Sequence, residues 1–317
     1  MVLVRVPASS ANLGPGFDCL GVALELYNYI EILEANAPLK ISLTGTYRDG
    51  FALDENNLVY QAAKFLWQKI GFNPSGIALN LINNIPPSRG LGSSSAAIVG
   101  GLYSANLLAG SPLDKEELLA LAADLEGHPD NVAAALYGGV ALAIRQPSGN
   151  CISRSLGNME GLKIVVAIPD MSLPTKLARS LLPGSVSMAD AVWNLSRTGL
   201  LVTSLLNEDY SLLKVAMEDH LHEQYRAKAI PGMDAALAAA KEAGALGAVL
   251  SGAGPTMISF VPDFTDETLV GEAMYNAFLA VDVRCEIRHL YTDRQGTVQL
   301  ETLPQELQDQ NFGGPAC

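Results

Sequence analysis

Pro86-Pro87-Ser88-Arg89-Gly90-Leu91-Gly92-Ser93-Ser94-Ser95-Ala96 sets a proline pair, two glycines and three serines ahead of a small, apolar run that continues to Leu108. The run from Ser94 to Leu108 reads as a buried helix. The glycines before it let backbone approach a ligand closely. A helix opening among serines offers free N–H groups and a positive dipole end, which together make an anion site. The serine hydroxyls can add hydrogen bonds or ligate Mg²⁺. The loop is not a Walker A motif, because the lysine of that motif is missing. A Ser-capped helix after a glycine turn is the plain alternative. A nucleophile elbow is another, since Gly92-Ser93-Ser94-Ser95-Ala96 nearly fits GxSxG. A Ser/His/Asp hydrolase would also need a placed histidine, and the chain has 4.

Outward from this loop, two more glycine-rich stretches stand near the ends of the chain. Pro7-Ala8-Ser9-Ser10-Ala11-Asn12-Leu13-Gly14-Pro15-Gly16-Phe17-Asp18-Cys19-Leu20-Gly21 follows a short alternating strand, Val2 to Val6. It sets the amide of Asn12 and the carboxylate of Asp18 beside glycines, where they could face a hydroxyl or an ammonium. Leu250-Ser251-Gly252-Ala253-Gly254-Pro255-Thr256 lies between strands read at Ala248–Leu250 and Thr256–Val261. Between the loops, strands are expected at Tyr27–Leu33, Leu39–Thr44, Ile77–Ile82, Val140–Ile144, Lys163–Ile168 and Val283–Leu290. Helices are expected at Asn57–Ile70, from Asp114 to Leu125 with a cap at Asp114 and Glu117, and at Ala189–Leu206, Leu212–Gln224, Met233–Ala243 and Glu267–Leu279. Strands and helices mix without strict βα alternation, so the fold class is α+β. A composition shift near residues 145–160 marks a boundary between two domains, 1–155 and 156–303, followed by a polar tail, 304–317.

The bulk numbers narrow the function classes. Of the 317 residues, 49% are hydrophobic and 17% charged, which favours a substantial core over disorder. A net charge of −13 argues against a general nucleic-acid binder but not against phosphate held by local N–H groups. Cys19, Cys151, Cys285 and Cys317 are scattered without framework spacing and read as reduced thiols. The N-terminus lacks signal-peptide order and no apolar run approaches a membrane span, so a soluble, cytoplasmic protein without membrane binding is expected.

The three loops, in this order and across nearly the whole chain, resemble those of the GHMP kinases (galactokinase, homoserine kinase, mevalonate kinase and phosphomevalonate kinase). Within that superfamily, Glu126-Gly127-His128-Pro129-Asp130-Asn131-Val132-Ala133 resembles the E-G-H-P-D-N-V-A-P run of homoserine kinases, with Ala134 in place of the last proline. Thr175-Lys176-Leu177-Ala178-Arg179, continued by Leu182-Pro183, is similar to their T-x-x-A-R-x-x-L-P run. His220-Leu221-His222-Glu223-Gln224-Tyr225-Arg226 is similar to D-x-L-H-E-P-Y-R, with Gln224 replacing proline.

The resemblance implies two domains, an N-terminal ATP-binding α+β domain and a C-terminal ferredoxin-like one. It implies transfer of the γ-phosphoryl of ATP to the side-chain hydroxyl of L-homoserine, in threonine biosynthesis. By that resemblance the loop from Pro86, Pro87, Ser88, Arg89, Gly90, Leu91, Gly92, Ser93, Ser94, Ser95 to Ala96 binds ATP. Ser94 and Glu126 hold Mg²⁺. Asn12, Asp18, His128, Asn131, Thr175, Arg179 and Arg226 line the substrate site. Catalytic roles fall to Asn131, Arg179, Asp18 and Glu126, with transition-state stabilisation favoured and Asp130 or Asp18 left as possible bases. A substrate α-carboxylate suits paired guanidinium groups. Asn57 to Val59 are candidates for adenine contact by position. Dimerisation is a family-level expectation. Another GHMP kinase, acting on mevalonate, a sugar or shikimate, is the nearest alternative. His220 and His222 read as structural or surface residues.

Overall fold

Both faces of the first long strand are buried, so the apolar alternation that marks a half-exposed strand is missing after Val6. In the computed structural model, which describes residues 1–36 and 38–308, β1 (Val2–Asn12) runs on through the first glycine-rich stretch. It pairs antiparallel with β2 (Gly16–Glu34) as far as Asn12 opposite Gly16. The strand expectations at Val2–Val6 and Tyr27–Leu33 are therefore too short, and the first loop is the tip of a hairpin. The tip turns through Asn12, Leu13 and Gly14, at φ 74°, 50° and 78°.

The chain continues through β3 (Lys40–Thr44), α1 (Leu58–Ile70), β4 (Ile77–Ile82), α2 (Ser93–Leu108), α3 (Lys115–Glu126), α4 (Asp130–Tyr137), β5 (Val140–Arg145) and β6 (Cys151–Ser155). Asn57 caps α1, and Asp114 with Glu117 forms the expected capping box on α3. β3 and β4 are parallel and joined through α1. The sheet order is β3-β4-β2-β1, with β5 beside the first half of β2 and β6 beyond β5. Pro129 stands as the N-cap just before α4, where its missing N–H would have had no helical partner anyway.

The second half builds its own sheet from β7 (Leu162–Pro169), α5 (Thr175–Ser180), α6 (Met188–Leu206), α7 (Leu213–Ala216), α8 (Glu223–Arg226), α9 (Met233–Glu242), β8 (Gly247–Leu250), β9 (Met257–Pro262), α10 (Glu267–Leu279) and β10 (Cys285–Leu290). Its antiparallel order, β10-β7-β9-β8, with α9 and α10 as the crossovers, is the ferredoxin-like βαββαβ arrangement. The helix expected over Leu212–Gln224 is instead broken in two. The Asp219 carboxylate accepts from the backbone N–H groups of Leu221, His222 and Glu223, an arrangement that competes with a continuing helix.

β6 ends at Ser155 and β7 starts at Leu162, on either side of the expected division. The second half is not closed on itself, because β11 (Val298–Leu300) returns to pair with Leu3–Arg5 of β1. Ile164 and Val166 of β7 and Phe260 of β9 share one buried apolar cluster with Val4, Leu24 and Leu205. Of the tail, Gln305–Leu307 forms a 3-10 turn, and residues 309–317, including Cys317, lie outside the described residues, as does Ala37 between β2 and β3. Cys19, Cys151 and Cys285 are free thiols. No helix among the described residues is long and apolar enough to cross a membrane.

Candidate active site

The three glycine-rich stretches meet because glycine is needed where they touch. A Cβ on Gly90 would stand 2.3 Å from the carbonyl oxygen of Ser251, and one on Gly92 would stand 2.1 Å from Ser9 Oγ. Ser251 Oγ lies 2.6 Å from the Gly90 carbonyl and 2.8 Å from Ser10 Oγ, so the third loop is tied to both others. Asn12 Nδ2 donates to the Gly252 carbonyl at 3.0 Å, while its oxygen accepts from the Asp18 N–H at 3.1 Å.

Together the loops wall a cavity of about 300 Å³. The N-terminal turn of α2 opens into it through Ser93 and Ser94. Ser94 Oγ and Ser95 Oγ donate to the same oxygen of Glu126, at 2.8 and 2.7 Å. No histidine hydrogen-bonds Ser94 among the described residues, which removes the nucleophile elbow. Pro87, Ser88, Gly90 and Gly92 also line the cavity, whereas Leu91, Ser95 and Ala96 are buried behind it. Pro86 is not among the lining residues. Arg89 turns away from the cavity: its guanidinium donates to the Pro169 and Met171 carbonyls and pairs with Asp170 at 3.3 Å. It fastens the loop to the end of β7.

Asp18, Arg179, Arg226, His128, Asn131, Asn12 and Thr175 all line the same cavity. Arg179 grips Asp18 through two parallel bonds of 3.0 and 2.7 Å, the bidentate geometry that suits guanidinium and carboxylate. Arg226 is 2% exposed. Burial first, and the charge of Arg179 second, push its pKa down to about 10, so it remains a cation at neutral pH. Both guanidinium groups lie over the ring of Phe17, at 5.7 Å for Arg179 and 5.5 Å for Arg226.

Across the cavity, Asp130 accepts from the Asn131 N–H at 2.7 Å and contacts His128 Nδ1 at 2.6 Å. Burial works to lower the His128 pKa, but the Asp130 hydrogen bond and the charges of Asp130 and Glu126 outweigh it and raise the value. Ser9 Oγ donates to Asn131 Oδ1 at 3.0 Å. Asp130 is 1% exposed and already engaged, and Asp18 is held by Arg179. Asn57, Leu58 and Val59 line the far end of the cavity.

Sequence reasoning did not single out Phe17, Ser9 or Ser251, and it placed His222 outside the site. His222 is fully buried against Phe17 and Arg226. The arrangement therefore sets a helix N-terminus for anionic groups beside a corner that presents two guanidinium groups and a carboxylate. That corner complements a small zwitterion.

A model of the GHMP kinases N terminal domain matches residues 57–139, and one of the GHMP kinases C terminal matches residues 201–280. The chain is 48% identical to the homoserine kinase of Desulfitobacterium hafniense over 93% of this chain and 99% of that one. It is 44% identical to the homoserine kinase of Moorella thermoacetica over 94% and 99% of the two chains. The crystal structure of homoserine kinase from Cytophaga hutchinsonii superposes with a TM-score of 0.83 at 30% identity, covering 94% of this chain and 97% of that one.

Proposed function

We propose, because the chain belongs to the GHMP kinase family and is up to 48% identical to homoserine kinases over most of its length, that it moves the γ-phosphoryl of ATP to the side-chain hydroxyl of L-homoserine and so serves threonine biosynthesis. The observation that carries this reading is the meeting of Asp18, Arg179 and Arg226 in the cavity that the N-terminus of α2 opens into. An α-amino acid carries both charges that this corner complements. Mevalonate carries only the carboxylate and would leave Asp18 facing no cation beyond Arg179.

In this reading the N–H groups of Gly90 to Ser95 receive the phosphates, as a helix start does for any anion. Arg226 takes the substrate carboxylate with Arg179, and Thr175 supports it. Asp18 receives the ammonium, and Asn12 and Asn131 orient the substrate's polar groups. Ser94 Oγ and the Glu126 carboxylate are adjacent hard oxygen donors, and no hydrogen bond among the described residues engages the second Glu126 oxygen, which fits Mg²⁺. The ion would neutralise charge on the transferring phosphoryl group. Transfer through a loose transition state needs positioning and charge more than a base. The engagement of Asp130 and Asp18 supports a reaction with no dedicated base.

The test is ADP release with MgATP and a panel of L-homoserine, mevalonate, galactose, shikimate and L-serine. Strong release with L-homoserine alone is expected. Preferential turnover of another member would discard the homoserine reading while keeping the kinase.

A further inference from the structure

His222 is buried in the polar framework behind the cavity and belongs to none of the groups given a role above. Its exposure is 0%, and its ring stacks on Phe17 with centroids 5.3 Å apart. Its Nε2 lies 2.9 Å from the Gly14 carbonyl oxygen, and its Nδ1 lies 3.1 Å from Arg226 Nη1. A carbonyl only accepts and a guanidinium only donates. The ring is therefore the neutral tautomer that donates from Nε2 and accepts at Nδ1. Burial lowers its pKa, with the Arg226 charge acting in the same direction against Asp219, and this keeps that tautomer in place near neutral pH.

The Gly14 end of this bridge is rigid. A Cβ on Gly14 would meet the Met217 carbonyl oxygen at 2.3 Å, so the hairpin tip presses directly on the chain after α7. The next carbonyl, of Pro15, accepts from Asn194 Nδ2 and Thr198 Oγ1 at 3.3 and 3.0 Å, which pins the tip to α6. At the other end, Arg226 Nη1 is shared between His222 and the Gly252 carbonyl, the latter at 2.9 Å. Both described bonds of the guanidinium thus lie on one nitrogen. Its Nε is buried and makes no hydrogen bond among the described residues. Nη2 makes no hydrogen bond among the described residues, and a guanidinium N–H donates a charge-assisted bond to a carboxylate.

We propose that His222 is a positioning residue for the substrate carboxylate: it holds Nη1 of Arg226 against the rigid first loop, so that Nη2 is left to donate to the incoming carboxylate. This rests on the proposed reaction, in which Arg226 receives that carboxylate. The role needs a ring-sized acceptor and donor side by side. Glutamine reproduces the pair, whereas phenylalanine keeps the packing against Phe17 and offers neither.

The experiment is steady-state kinetics, for both substrates, of His222→Phe, His222→Gln and each combined with Arg226→Ala. His222→Phe is expected to raise the KM for L-homoserine about tenfold or more while leaving the KM for ATP within about twofold. His222→Gln is expected to recover most of the loss. In the Arg226→Ala background neither change should add a further effect, as for two residues acting as one unit. A wild-type homoserine KM in His222→Phe overturns the proposal, as does an equal rise in both KM values or a full effect persisting without Arg226. His222→Leu gives the same reading should the phenylalanine variant fail to fold. Wild-type turnover of L-homoserine is the control that separates the two ideas: its absence removes the proposed reaction, whereas its presence with an unchanged KM in His222→Phe removes only the role of His222.

Discussion

Asn131 accepts from Ser9 through its side-chain oxygen and stands next to the buried Asp130 carboxylate. Asn131→Asp keeps the acceptor and the shape but adds negative charge where, in the proposed reaction, phosphoryl oxygens approach. We expect kcat to fall by at least about tenfold with little change in unfolding temperature. Full homoserine turnover by this variant would show that the amide has no specific role. At this scale the runs around Glu126, Arg179 and Arg226 were legible only through their resemblance to homoserine kinase runs, and in the fold these three residues line one cavity. The placement of Phe17 and His222 was not legible. The partner of His222 at Gly14 is 208 positions away, and nothing in a local window announces a contact of that separation. Arg89 misleads for the opposite reason. It lies inside the phosphate-loop run, yet its side chain is taken by carbonyls at the end of β7.

The start of α2 and the start of α3 are two helix N-termini with different tasks, and substitutions separate them. Gly92 precedes α2 at φ 68° with Ser9 against it, so Gly92→Ala must displace the first turn. The KM for ATP is expected to rise about tenfold or more, read by ADP release at varied ATP. Asp114→Ala removes only the capping box of α3, at the protein surface. It should cost about 1 kcal/mol in denaturant unfolding and leave both KM values unchanged. A changed ATP KM in the second variant would mean that α3 transmits strain to Glu126, its last residue. Where local signals are strong, element bounds follow from sequence: the β4 strand has the expected ends, and α1 and α3 differ by a residue. β1 and β2 outrun their expected lengths because burial on both faces erases the period-two pattern. The three-residue β11 carries too little pattern to be found, and it exists through its pairing with β1.

On the scale of the whole molecule, the ferredoxin-like half supplies Arg179, Arg226 and the third loop to a cavity that the N-terminal turn of α2 in the first half also lines. Within that half, Glu223 of α8 accepts from the Leu250 N–H at 2.7 Å, at the end of β8 where the third loop begins. Burial, followed by the charge of Asp219, raises its pKa from 4.5 to about 8. A carboxyl whose folded value lies above its unfolded value makes the folded state bind the extra proton. Its contribution is therefore fully present below 4.5 and is lost as pH rises through about 8. Glu223→Gln keeps the acceptor without titrating. Its stability relative to wild type should grow between about pH 5 and pH 8, measured by urea unfolding across that window. Parallel curves for the two proteins would contradict this. The composition shift near residues 145–160 falls at the link between β6 and β7, but the return of the chain to its first sheet leaves no mark in composition. That return has a consequence during synthesis. While the ribosome has made only the first half, the edge of β1 has no neighbour, and an open strand edge is a template for wrong partners. The protective strand is made only after the whole second sheet, so the first half waits through that synthesis with the edge bare, and cutting the gene at the apparent boundary would leave it so permanently.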